Sequence, residues 1–308
     1  MEYCIFVEPQ LGMTWDQLLA IARATEDRGF HGFFRSDHYI APDRVFTGDQ
    51  VVSDAWTSLA ALAVSTERVR LGTLVSPVTF RHPGVLAVQV ANVDAMSHGR
   101  AELGLGAGWN APEHEAYGIP FPQKRFGLFE ESLEIVTGLW RTPEGETFSF
   151  DGEHYRLDGA PGAQRPAGEG IPLIIGGGGA TRTPALAASF ATEFNTGFVP
   201  NDVIEERFGR VREAAGASGR DPQTLRLSVA LTATVAESST QADARARDQR
   251  LDPESQRTNG LHGTPADVAE RLASLRALGA SRVYLQLLDV TDLGQLDLLV
   301  EATRLAEG

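Results

Sequence analysis

Cysteine and lysine are almost missing from this 308-residue chain. Cys4 is the single cysteine, so no intrachain disulfide can form. It stands in the apolar run "YCIFV" and reads as a core thiol. Lys124 is the single lysine, and the 27 Lys and Arg together fall well short of the 41 Asp and Glu. The resulting net charge of −14 leaves no basic field for a phosphate backbone, which excludes nucleic acid as a partner. No apolar run reaches the roughly 18 residues of a membrane span, and no signal-peptide pattern opens the chain. A soluble, cytoplasmic protein with no membrane partner is the expectation.

Several active-site signatures are missing as well. "GLGAGWN" (104–110) follows an apolar run, but Trp109 stands where a dinucleotide-binding GxGxxG needs its third glycine. There is no GxSxG nucleophile elbow. With no cysteine pair and no metal-ligand spacing among the histidines, no metal is expected. His82, His98, His114, His154 and His262 read as structural or surface residues.

What is present is alternation. Apolar residues make up 42% of the chain, enough for a large core. Short apolar runs at 3–7, 32–36, 69–75, 101–106, 172–176, 192–197, 225–234 and 282–288 read as strands. Amphipathic segments at 14–28, 54–66, 84–97, 127–140, 182–190, 202–217, 265–278 and 292–306 read as helices. Thr14, Asp54 and "TPADVAE" supply helix starts, and "EDRGF" and "RALGA" supply glycine stops. Eight βα units in about 300 residues fit an α/β fold of the (β/α)8 barrel type, with a doubly wound open sheet as the alternative. One domain over 1–308 is expected. Segments 37–53, 141–170 and 237–262 fit no βα unit and read as insertions at the C-terminal mouth. Within them "TFSF-DG-EHYRL" predicts a hairpin turning at Asp-Gly, and 237–262 holds an Arg/Asp-rich helical part.

A barrel places its chemistry at the C-terminal strand ends. The second strand ends at Asp37-His38, a carboxylate beside an imidazole, which reads either as a solvated loop with a helix cap or as an acid/base pair. The fourth ends at Gly106, Ala107, Gly108, Trp109 and Asn110. Trp56 reads as core, whereas Trp109 divides between core and site. The fifth strand ends in Gly176, Gly177, Gly178 and Gly179 ahead of a helix. Four glycines suit a tight or flexible loop, and they equally suit backbone N–H groups approaching a phosphate at a helix start.

The set "SDHY" (36–39), "LGTLVSPVTFRHPGVLAVQVANVDAMSHGRAELGLGAGW" (71–109), "EHEAYGIPFP" (113–122), "RFGLFEESLEIVTGLW" (125–140), "FDGEHYRLDGAP" (150–161) and "PLIIGGGG" (172–179) resembles the luciferase-like monooxygenase superfamily. Within it the chain is similar to oxidoreductases that use the deazaflavin coenzyme F420. The resemblance runs from residue 1 to about 200 and more loosely beyond. It implies a (β/α)8 barrel with the cofactor ring across the C-terminal mouth. Asp37 and His38 would lie beside the ring, the histidine stabilising or transferring protons. Leu74-Val75 falls where such members carry a non-prolyl cis peptide behind the ring, flanked by Thr73 and Ser76. Gly106, Ala107, Gly108, Trp109 and Asn110 would meet the ring edge and ribityl chain. Many members have an acid where Trp109 stands, and this chain lacks it. The glycines at 176–179, with Thr181 and Arg182, would bind the phosphate. The implied reaction is hydride transfer between F420 and a small-molecule substrate, with an FMN-dependent monooxygenase as the alternative and a non-catalytic flavin-binding barrel as a third reading. A homodimer is implied by resemblance alone.

Overall fold

The computed structural model describes residues 1–41, 52–163 and 170–308. Eight parallel strands close on themselves: β1 (Glu2–Val7), β2 (Gly32–Arg35), β3 (Arg70–Thr73), β4 (Ala101–Gly106), β5 (Leu173–Gly176), β6 (Glu193–Gly197), β7 (Arg226–Val235) and β8 (Arg282–Leu287). Each pairs with the next, and β8 returns to β1 through Glu2 opposite Arg282. The barrel is therefore the (β/α)8 type, and the open sheet does not form. Eight helices follow the strands: α1 (Trp15–Asp27), α2 (Ala55–Ala63), α3 (Pro83–Met96), α4 (Arg125–Arg141), α5 (Arg182–Phe190), α6 (Asn201–Ala217), α7 (Pro265–Ala277) and α8 (Gly294–Glu307). Thr14 and Thr264 start α1 and α7 with reciprocal capping boxes, and Asp54 caps α2 through the Thr57 amide.

The period-two pattern of each strand divides its side chains. Ile5, Phe33, Leu71, Leu103, Val229 and Val283 join the large apolar layer beneath the helices. Cys4, Phe6, Phe34, Ile174, Ala230 and Tyr284 form a separate small cluster inside the barrel. Gly72 makes room for it, because a Cβ there would lie 2.6 Å from the Phe34 ring. At the N-terminal end the interior is ionic. Arg282 donates to Glu102 at 2.6 Å, Glu193 at 2.9 Å and Glu2 at 2.7 Å, and Arg70 pairs with Glu102.

Three expectations need amendment. The hairpin forms outside the barrel from Thr147–Asp151 and Arg156–Pro161, but its turn is not the two-residue Asp-Gly one. Asp151 still pairs with Arg156, and residues 152–155 make the turn. Glu131 on α4 is the cause: its carboxylate accepts the N–H groups of Glu153 (2.7 Å), His154 (3.0 Å) and Tyr155 (2.9 Å). Two short helices, Ala111–Tyr117 and Pro253–Asn259, and a strand at Leu261–Gly263 also form where none was expected. Their seven and three residues are too few to show a period in sequence. Parts of two predicted mouth insertions, 42–51 and 164–169, lie outside the described residues. Among the described residues, no helix is long and apolar enough to cross a membrane.

Candidate active site

The C-terminal strand ends surround a cavity of about 630 Å³. His38, Leu74, Val75, Gly106, Ala107, Gly108, Trp109 and all four glycines at 176–179 line it. Asp37, Thr73, Ser76, Asn110, Thr181 and Arg182 are not on its wall.

Asp37 and His38 go separate ways. The Asp37 carboxylate is buried and accepts from Ser76 Oγ at 2.6 Å and from both terminal nitrogens of Arg81, at 2.5 and 3.2 Å. Arg81 also bridges to Asp54. Burial opposes the Asp54 charge, but Arg81 and the Thr57 amide hold that carboxyl down at about 2. The Ser76 hydroxyl in turn accepts from Trp56 Nε1 at 3.1 Å and lies 3.2 Å from the Thr73 hydroxyl. Asp37, Thr73, Ser76 and the core residue Trp56 are thus one closed polar cluster beside the cavity.

His38 faces the cavity. Its Nδ1 lies 2.8 Å from Glu113 Oε1, and the other Glu113 oxygen accepts the Tyr39 amide at 3.1 Å. Glu113 is buried on the short helix Ala111–Tyr117. No hydrogen bond to His38 Nε2 is formed among the described residues, and Trp109 stands edge-on to the imidazole at 5.5 Å. Burial works against a positive imidazole, but the Glu113 bond and charge, helped by Glu8 and Asp37, prevail and raise the His38 pKa above its ordinary value. Asn110 supports this wall from behind, its Nδ2 donating to the Ile40 carbonyl at 3.1 Å.

The Leu74–Val75 peptide is cis, as the resemblance implied. The Val75 side chain lies against Gly106 and Gly176, the last residues of β4 and β5. Beyond it, Gly177 has a φ of +147°, which favours glycine, and its N–H donates to Asn195. A Cβ on Gly178 would lie 2.6 Å from the Arg207 guanidinium carbon, so this backbone must stay bare for Arg207 to rest on it. Arg207 comes from α6 and also donates to Thr196 Oγ1 at 2.7 Å. The following helix, α5, begins at Thr181 without a side-chain cap and with no acid in its first turn. Arg182 is placed elsewhere: it is exposed, paired with Glu130 at 2.8 Å and set over the Phe126 ring. The cation at the glycine loop is Arg207, which sequence reasoning missed because nothing marks it among the other α6 charges.

Glu113 was missed too; its only signal is a carboxylate four residues after Trp109, just behind a helix-starting proline. Three of the other histidines keep structural roles. His82 accepts the Gly84 amide at the start of α3, His114 sits between Asn110 O and Thr79, and His262 sits between Thr234 and Asp243. Among the described residues, no group of His, Cys, Asp and Glu could hold a metal ion.

An uncharacterized protein of Mycobacterium tuberculosis (strain ATCC 25618 / H37Rv) is 32% identical over 226 residues, covering 68% of this chain and 78% of its own. An F420-dependent glucose-6-phosphate dehydrogenase of Nakamurella multipartita is 36% identical over 209 residues, covering 66% of this chain but 59% of its own. A solved F420-dependent secondary alcohol dehydrogenase, in complex with an F420–acetone adduct, superposes with a TM-score of 0.85. The superposition covers 99% of this chain and 98% of the other, and its 17% identity speaks to the fold alone. The profile of luciferase-like monooxygenases matches residues 1–258, which hold seven of the eight barrel strands, and the chain belongs to that enzyme family.

Proposed function

We propose that the protein is an F420-dependent oxidoreductase that transfers a hydride between the coenzyme and a small organic substrate, working as a homodimer. The observation that carries this reading is one cavity with a carboxylate-held imidazole on one wall and a bare glycine loop under an arginine on another. The residues present fit the coenzyme. The Gly178 backbone and the uncapped start of α5 offer N–H groups to a phosphate, and Arg207 adds the cation. When bound, F420 supplies the hydride-carrying carbon; the protein supplies position, dryness and protons. Leu74, Val75 and Gly106 form one wall, and Phe6, Phe126 and Phe129 exclude water. Glu113 fixes the His38 ring through Nδ1, which leaves Nε2 to hold or pass a proton at the cavity. Asp37 serves from outside, holding the Ser76–Thr73 turn in place. The F420-dependent names among the relatives favour this coenzyme over FMN.

Titrating the protein with F420 and with FMN tests the reading. F420 is expected to bind more tightly, and Arg207→Ala to weaken it about 10- to 100-fold without loss of fold. Tight FMN binding with oxygen-dependent turnover, and no response to F420, would assign an FMN monooxygenase instead.

A further inference from the structure

Glu8 lies just past the end of β1 and lines the same cavity as His38. Its carboxylate is held at both oxygens. Gln286 Nε2 donates to Oε1 at 2.8 Å, and Gln10 Nε2 donates to Oε2. Each amide is itself fixed by a hydroxyl: Thr232 donates to Gln286 Oε1 at 2.5 Å, and Ser36 to Gln10 Oε1 at 2.6 Å. Two amides and two hydroxyls from four different segments therefore hold one carboxylate still. Among the described residues, no cation forms an ion pair with it. Gln10, Ser36 and Thr232 are buried, so the support belongs to the barrel and not to solvent.

Such a carboxylate has spare lone pairs and a charge left open toward the cavity. It accepts hydrogen bonds from a ligand hydroxyl and repels a ligand anion. The other lining residues agree. Phe6, Leu74, Val75, Trp109, Phe126 and Phe198 are apolar, and the one guanidinium on the described wall, Arg207, rests on the glycine loop. A phosphate held there takes up Arg207, and any positive charge on His38 is already matched by Glu113, so Glu8 is left without a cation of its own.

We infer that Glu8 sets substrate choice, so that the site takes an uncharged, hydroxyl-bearing compound with an apolar body and rejects anionic substrates such as sugar phosphates. This rests on the oxidoreductase reading of the same cavity. It separates the chain from its relatives named for glucose 6-phosphate.

A matched pair of probes tests it: cyclohexylmethanol and cyclohexanecarboxylate, of one shape and opposite charge state. Binding is measured by ligand-observed NMR on the protein with and without F420, with glucose 6-phosphate as a second anion. The alcohol is expected to bind at least about 10-fold more tightly than the carboxylate, and Glu8→Gln to abolish that preference. Gln keeps the shape, and a Glu8→Asp variant that retains the preference would show that charge decides. Equal binding in the wild type, binding of neither probe, a preference that survives Glu8→Gln, or turnover of glucose 6-phosphate would each overturn the inference. Failure of F420 to bind would instead overturn the cofactor reading, and the probe comparison on the protein alone would still decide the role of Glu8.

Discussion

At the scale of single residues, His38 takes its character from Glu113. Asp37 and His38 are neighbours in sequence, yet successive side chains at a strand end point apart, and Asp37 turns to Arg81 while His38 turns to the cavity. The true partner lies 75 positions along the chain. A raised imidazole pKa stabilises the fold most below the unfolded value near 6.5, and that contribution is lost as pH rises through the higher folded value. Glu113→Gln removes the main force raising it and leaves the burial that lowers it. The His38 ring resonances should then titrate at lower pH by NMR. The stability cost of the variant should be larger at pH 6 than at pH 8. An unmoved titration would show that Glu113 does not set the proton affinity of His38.

At the scale of elements, the barrel interior is a problem of volume. Phe34 on β2 occupies the space that a side chain on β3 would need, and β3 yields it by carrying Gly72. The Glu102 carbonyl also lies close to that position. Gly72→Ala should destabilise the protein by about 1–3 kcal/mol through overpacking, read as a lower urea midpoint. Trimming Phe34 to Leu in the same chain should restore only part of the loss, because the carbonyl contact on β4 remains. Full stability in the single variant would mean that the strands shift to make room. The same logic explains why the hairpin turn departs from its sequence signal. Asp-Gly favours a two-residue turn locally, but three backbone N–H groups bonded to Glu131 outweigh that preference.

At the scale of the whole molecule, the eight strands and eight helices were legible because short apolar runs alternate with amphipathic segments, and several of the caps and stops have chemical signatures. The mouth was legible for the same reason, since a barrel of this kind has one functional end. The glycine loop could be found from its composition, and the cis peptide only from family resemblance. Glu113, Arg207 and Glu8 were not legible. Each is an ordinary charge in its local stretch, and tertiary structure alone brings Glu8 and Arg207 to the cavity and Glu113 to His38. The ionic layer at the opposite end was equally hidden, because its members come from strands spread from residue 2 to residue 282. That layer ties the last strand to the first and across to β4 and β6. Burial raises the Glu193 carboxyl despite Arg282, whereas Arg282 and Arg70 overcome burial and lower that of Glu102. Arg282→Met strands both carboxylates in the barrel without their shared cation. The expected loss at pH 8 is about 3–5 kcal/mol. Without Arg282 burial pushes the Glu193 carboxyl further upward and Glu102 keeps only Arg70 against it, so both take up protons in the folded state more readily than with Arg282 in place. Stability of the variant relative to wild type should therefore recover as pH falls from 8 to 5. Replacing Arg282 with Met together with Glu102→Gln and Glu193→Gln removes the stranded charges and should recover much of the loss at pH 8. Denaturation midpoints of the three proteins at both pH values check this. A single variant that weakens further toward pH 5, or a triple variant no more stable than the single one, would mean that unpaired charge is not what Arg282 prevents.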